Sequence, residues 1–307
     1  MSRLAGRQLL LLSARDLLAA AAHEGLLLVA LVAPAPAAIA GFVRAARDAG
    51  APLVLARPSG ASEEKGPEEA RDDAAFVEAV LRTAAELRFT GPIALLKEPP
   101  RAGSAVSEDE RVHREIDAGF TGVALAAGAE AADARDAALA ATVVCQFELG
   151  LEVVSLGGSA QAAAELARQL KSRGAPPSAL RLTGHDEDAA TIARELPFVA
   201  ISSAQEAPVP EGVRQVVAAG PFLRALSRAA PPDTLDALLS WADEKGASLE
   251  QAAARHQKLL RDLPAPVQDR LEALCSFEAA ELYLRLGARG TGRRLAERVG
   301  LAHAGDE

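Results

Sequence analysis

Eight short apolar runs, spaced along the chain and separated by segments with helical spacing, restrict its fold more than any other feature. They fall at Leu26 to Val32, Pro52 to Ala56, Pro92 to Leu96, Gly122 to Ala126, Leu151 to Leu156, Leu180 to Thr183, Phe198 to Ile201 and Val213 to Ala218. Most are near-continuous in apolar residues rather than alternating, as parallel strands covered on both faces require. Helices are expected between them over Ala37 to Ala49, Asp72 to Arg88, Glu108 to Ala118, Ala131 to Glu148, Ala160 to Ser172 and Glu187 to Glu195. Within them apolar residues such as Phe76, Val80 and Leu87 recur at helical spacing. Gly50, Gly91, Gly119, Gly150 and Gly174 stand where those helices should stop.

Repeated strand-helix units give an open doubly wound sheet or a closed barrel. The open sheet calls for a GxGxxG turn after an early strand, and none is present. A length of 307 residues suits one (β/α)8 TIM barrel of roughly 250 residues with an added segment. The expected architecture is therefore an α/β barrel over residues 1–230 and a C-terminal helical extension over 231–307, packed on the barrel or in an oligomer interface. Helices in the extension are expected at Leu235 to Lys245, Leu249 to Leu260 and Val267 to Leu286, with breaks at Pro231-Pro232 and Pro264 to Pro266. The crossover Ala204 to Gly212 carries Pro208 and Pro210 and reads as a loop or short turn.

Composition narrows the function. A net charge of -9 and a pI near 5.2 oppose nucleic-acid binding, which needs a basic surface. Aromatic residues, at 3%, leave little for base stacking. No apolar run reaches the ~18 to 20 residues of a membrane span. Leu26 to Ala40 is apolar, but Arg15, Asp16, His23 and Glu24 precede it, so it reads as a buried strand rather than a secretory leader. Cys145 and Cys275 are far apart and form no metal-knuckle spacing, which fits a reducing cytoplasm.

Barrel enzymes keep their chemistry at the C-terminal ends of the strands. Lys97 and Glu98 directly follow the third run. Lys97 is a Schiff-base candidate if burial lowers its pKa, with Glu98 as neighbouring acid or base; the alternative is a solvated pair at a strand end. Ser202, Ser203, Ala219 and Gly220 follow the seventh and eighth runs, with Pro221 at a first helical position, and could cradle a phosphate on backbone amides or simply close turns. Gly157, Gly158 and Ser159 make a second such turn. His185 with Asp186 reads as a catalytic dyad or as an acidic helix start. Ser62 to Asp73 reads as an acidic loop on the same face, and Arg289 to Arg298 as a solvated helix start or a phosphate contact for a neighbouring subunit.

These residues resemble a family. Leu12 to Gly60 is similar to the opening of class II fructose- and tagatose-bisphosphate aldolases. REIDAGFTGVALAAG, Arg114 to Gly128, resembles their "A-I-x-A-G-F-t-S-V-M-I-D-G-S", and LEVVSLGG, Leu151 to Gly158, their "V-E-a-E-l-G-x-x-G-G". Ala179 to Ala204 resembles the "L-V-L-H-G" segment and the strand after it. VVAAGPFLRALSRA and the later run from Gln268 to Val299 are more similar to the tagatose-bisphosphate aldolase accessory subunit.

The resemblance implies a barrel whose strand-three "H-L-D-H" supplies a catalytic aspartate and a zinc-binding histidine. Here Leu95, Leu96, Lys97 and Glu98 stand there; Thr183 replaces the "L-H-G" histidine, with His185 two residues on, and Ala126 replaces the "I-D-G-S" aspartate. A lysine at the aspartate position would repel the ion. The implied protein is a non-catalytic or accessory sugar-phosphate-binding homologue with a degenerate zinc site and no cofactor, working as a homo-oligomer or with a partner subunit. Two alternatives stand beside it. One is an active sugar-bisphosphate aldolase with zinc on ligands relocated to Glu98, Glu152 and His185, and the other a structural or partner-binding barrel without a small-molecule site.

Overall fold

The structure, a computed structural model, describes residues 2–4, 7–59, 67–99, 107–127, 134–155, 160–183, 192, 199–202, 209 and 212–300. Eight parallel strands close on themselves: β3 (Leu28–Val32), β4 (Leu53–Arg57), β5 (Pro92–Lys97), β6 (Gly122–Ala127), β7 (Gly150–Ser155), β8 (Ala179–Thr183), β9 (Val199–Ser202) and β10 (Val213–Ala218). Each pairs with the next in sequence, and β10 pairs with β3 to complete the ring. The barrel is thus the one expected from the eight apolar runs. Two further strands, β1 (Ser2–Leu4) and β2 (Arg7–Leu11), form an antiparallel pair that the apolar pattern does not announce. β2 lies parallel to β5 at its start, whereas β6 meets β5 only at its end, through Leu96 and Lys97.

Strand alternation divides the core. Outward residues such as Leu31, Leu55, Leu95, Val123 and Val153 pack beneath the helices, while Leu28, Ala30, Val54, Ala56, Ala94, Ala179 and Ala200 line the interior. Around the sheet run α2 (Pro36–Ala49), α3 (Pro67–Glu86), α4 (Glu108–Asp117), α5 (Ala134–Gln146), α6 (Ala160–Ser172) and α7 (Gly220–Ala229). The helix expected over Glu187 to Glu195 and the crossover Ala204 to Gly212 fall almost entirely outside the described residues.

α1 (Ala14–His23) closes the N-terminal end of the barrel, contributing Leu17, Leu18, Ala20 and Ala21 to the interior core. Its approach explains one glycine differently from the helix-stop reading. A Cβ on Gly150 would lie 2.7 Å from the Ala14 Cβ and 3.0 Å from the Arg15 nitrogen. Gly150 thus admits α1, and the turn that ends α5 is taken instead by Glu148, at φ 56°. Arg88, also at φ 56°, plays that part after α3, in place of Gly91. Gly50, Gly119 and Gly174 do adopt left-handed backbone after their helices.

The C-terminal helices are α8 (Pro232–Lys245), α9 (Leu249–Arg255), α10 (Gln257–Arg261), α11 (Ala265–Arg285) and α12 (Thr291–Arg298). The expected single helix from Leu249 breaks at His256, which leaves helical geometry at φ -102°, ψ 39°. α11 lies across α2, and Arg44 meets Glu272 at 2.6 Å. Arg224 and Arg228 of α7 hold Glu278 at 2.6 and 2.8 Å. α12 sends Leu295, fully buried, into the same interior core as α1. Among the described residues no helix is long and apolar enough to cross a membrane.

Candidate functional site

Alternation sends neighbouring residues of one strand to opposite faces, and here it separates Lys97 from Glu98. Ile93 and Leu95 face the helix layer and Ala94 and Leu96 the interior, so Lys97 points outward. Its Nζ donates to Asp73 Oδ1 of α3 at 2.8 Å and stands 5.9 Å from the Phe120 ring centre. Arg57, at the end of β4, donates to the same oxygen at 2.5 Å and lies over Phe76, which stacks on Phe120. With 2% of its surface exposed, Lys97 is not the solvated strand-end residue of the alternative reading, and it faces the helix layer rather than the lumen. That is a correction to the solvated-pair expectation, and its cause is strand parity.

A second ion cluster adjoins this one. Arg111 of α4 donates to Glu115 at 2.6 Å, pairs with Glu108, and donates to the Ala124 carbonyl of β6 at 2.8 Å. Burial pulls the Arg111 pKa down, but Glu115 and Glu108 together carry it above its ordinary value. Burial raises the Glu115 pKa, against the lowering pull of Arg111 and Lys97. These groups weld α3 and α4 to the outside of β4, β5 and β6.

The lumen holds the other half of the chemistry. Its lining includes Ala30, Ala56, Ala94, Ala179 and Ala200, which leave room for Arg181 of β8, the bulkiest fully buried side chain among the described residues. The guanidinium donates to Glu98 through Nη1 at 2.6 Å and Nη2 at 2.8 Å, a two-pronged pair. Glu152 of β7 stands on the other side, its Oε2 3.5 Å from Arg181 Nε but without hydrogen-bond geometry. Gln215 of β10 donates to Glu152 Oε1 at 3.1 Å. Both Glu152 Oε2 and Arg181 Nε are buried without a hydrogen-bond partner.

Burial raises the Glu152 pKa; Arg181 opposes the rise and Glu98 adds to it. Arg181 itself is raised, because Glu98 and Glu152 outweigh the lowering effect of burial. The two directions are compatible: Glu98 is the carboxylate that neutralises the guanidinium, so the second carboxyl favours its proton. At the C-terminal ends of β7 and β8, the Ser155 hydroxyl accepts from the Thr183 nitrogen at 3.0 Å, and the Thr183 hydroxyl donates to the Ser155 carbonyl.

Of the expected catalytic residues, Glu98 and Glu152 therefore converge, joined by an arginine that sequence reasoning missed. Arg181 stands inside a strand run, where a charge was legible but not its direction. His185 lies outside the described residues, as do Asp186, Gly157, Gly158, Ser159 and Ser203. The acidic segment from Ser62 lies outside them as far as residue 66 and then opens α3, where Asp73 is buried rather than on a loop. Ser202 ends β9, and Ala219 and Gly220 open α7, whose first turn has no side-chain cap and carries Pro221.

A zinc ion of the aldolase type needs about three converging nitrogen, sulfur or oxygen donors. No group of three or more His, Cys, Asp or Glu among the described residues is placed to hold one. The two lumen carboxyl groups flank a guanidinium that repels a dication. The described residues do not fit zinc.

No protein-family model matches the chain, and no curated protein does. Solved structures do match. The YdjI aldolase from Escherichia coli K12 aligns over 92% of this chain and 100% of its own, at TM-score 0.58 and 11% identity. A protein from Coccidioides immitis carrying the name fructose-1,6-biphosphate aldolase aligns over 91% and 98%, at TM-score 0.60 and 12% identity. The fold is that of these aldolases. At such identities the likeness is one of architecture, and it extends along almost the whole of each chain.

Proposed function

We propose that this chain is an aldolase-type barrel that has exchanged metal chemistry for binding: a non-catalytic or accessory homologue that takes a sugar phosphate. The observation that supports this reading is Arg181, seated between Glu98 and Glu152, where its positive charge opposes a divalent cation. The phosphate is assigned to the amides that follow β9 and β10, at Ser202, Ser203, Ala219 and Gly220. There the uncapped first turn of α7 offers N–H donors and the positive end of a helix.

Three measurements on the purified chain test the reading. Metal analysis should find no stoichiometric zinc. Incubation with fructose or tagatose bisphosphate should yield no triose phosphate, and sugar phosphates should raise the thermal midpoint by binding the native state alone. Stoichiometric zinc together with cleavage would show an active aldolase. No thermal response to any sugar phosphate would leave a structural or partner-binding barrel.

A further inference from the structure

We propose that Arg181 is an oxyanion-binding residue whose position is held by the chain's own Glu98 carboxylate, and that a carboxylate or phosphate group of a ligand can take the same place. This goes beyond the sugar-phosphate reading, since its site is in the lumen and it stands whether or not a sugar phosphate binds after β10.

The geometry is that of ligand recognition. Two parallel N–H bonds of 2.6 and 2.8 Å hold both oxygens of Glu98, the fork by which a guanidinium takes a planar or tetrahedral oxyanion. Of these three ionisable groups, Glu98 alone has appreciable exposure, 20%, against 1% for Arg181 and 5% for Glu152. An anion arriving from the strand C-terminal side therefore meets Glu98 first. Only a side chain has to move. The Glu98 nitrogen donates to the Arg57 carbonyl at 2.9 Å, and its carbonyl accepts from the Ser59 hydroxyl at 2.5 Å, which anchors the backbone on both sides.

Charge favours exchange over addition. A second anion beside the Glu98 carboxylate would be repelled, but a singly charged anion that replaces that carboxylate leaves the charge around Arg181 unchanged. Nor is the network saturated, because Arg181 Nε keeps an unused donor. The cost of the arrangement is affinity. A tethered carboxylate competes at an effective concentration in the millimolar range or above, so an external oxyanion binds the unaltered chain weakly.

The test uses the full chain and its Glu98→Ala variant, with acetate and inorganic phosphate as probes and chloride at matched ionic strength as control. Removing the competitor should tighten oxyanion binding about 10-fold or more, read as a thermal midpoint that rises with acetate or phosphate far more steeply than in the unaltered chain. Response to acetate alone indicates ligands bearing a carboxylate, and response to phosphate indicates phosphoryl ligands. The Glu98→Ala/Arg181→Met double variant should lose the response. Glu98→Gln, which keeps the volume of the side chain, supplies the same measurement should the alanine variant not fold. Equal response to oxyanion and chloride in the Glu98 variants, or an undiminished response in the double variant, overturns the proposal.

Discussion

Glu152 illustrates how one buried side chain couples stability to pH. Burial holds its pKa above the ordinary value of 4.5, so the native chain keeps this proton more tightly than the unfolded chain does. Its contribution is fully present below 4.5 and is lost as pH rises through the higher native value. Glu152→Gln keeps the shape and removes the titration. Urea unfolding from about pH 5 to 8 should show the unaltered chain losing stability with rising pH relative to the variant. A parallel course would show that Glu152 is ionised throughout. Glu115 shifts in the same direction, so the variant removes only part of the slope. Asp73 is a carboxyl group shared by two cationic side chains. Asp73→Ala leaves Arg57 and Lys97 buried without it and should cost about 3–5 kcal/mol in urea unfolding.

Between elements, close approach decides more than propensity does. A Cβ on Gly41 of α2 would lie 2.5 Å from the Glu272 carbonyl oxygen and 2.7 Å from the Cys275 Cβ of α11. Neither neighbour is the free end of a flexible side chain. Gly41→Ala should therefore push the helices apart at a cost of about 1–3 kcal/mol, lowering the thermal midpoint while leaving helix content by circular dichroism unchanged. Nothing local marks Gly41, since it sits mid-helix where glycine is unfavourable by about 1 kcal/mol. Gly150 shows the same limit, because what it accommodates is Ala14, far away in the chain. By contrast the pattern-derived helix limits hold closely where caps are local. Ser107 caps α4 by accepting from the Glu110 nitrogen, and acidic residues fill its first turn.

For the molecule as a whole, the C-terminal helices are part of the barrel's closure. Leu295 of α12 enters the interior core beside Leu17 and Leu18 of α1, although it belongs to the last described helix. Leu295→Ala should cost about 2–5 kcal/mol, seen as a lower midpoint in thermal or urea unfolding. A surface position would show almost no change.

The eight apolar runs were enough to specify a parallel barrel, because a strand buried on both faces must be apolar wherever it runs and a crossover helix must carry one apolar stripe. Those are local demands, written into local residues. Charged positions carried less. Lys97 and Glu98 were visible as charges at a strand end, yet one faces the helices and the other the lumen, a consequence of where β5 begins its alternation. Arg181 was a single charge in an apolar run until the closed ring set it across from Glu98, 83 residues earlier, and beside Glu152. An ion pair is a property of two distant backbones brought within a few ångströms, and no spacing along the chain records that distance.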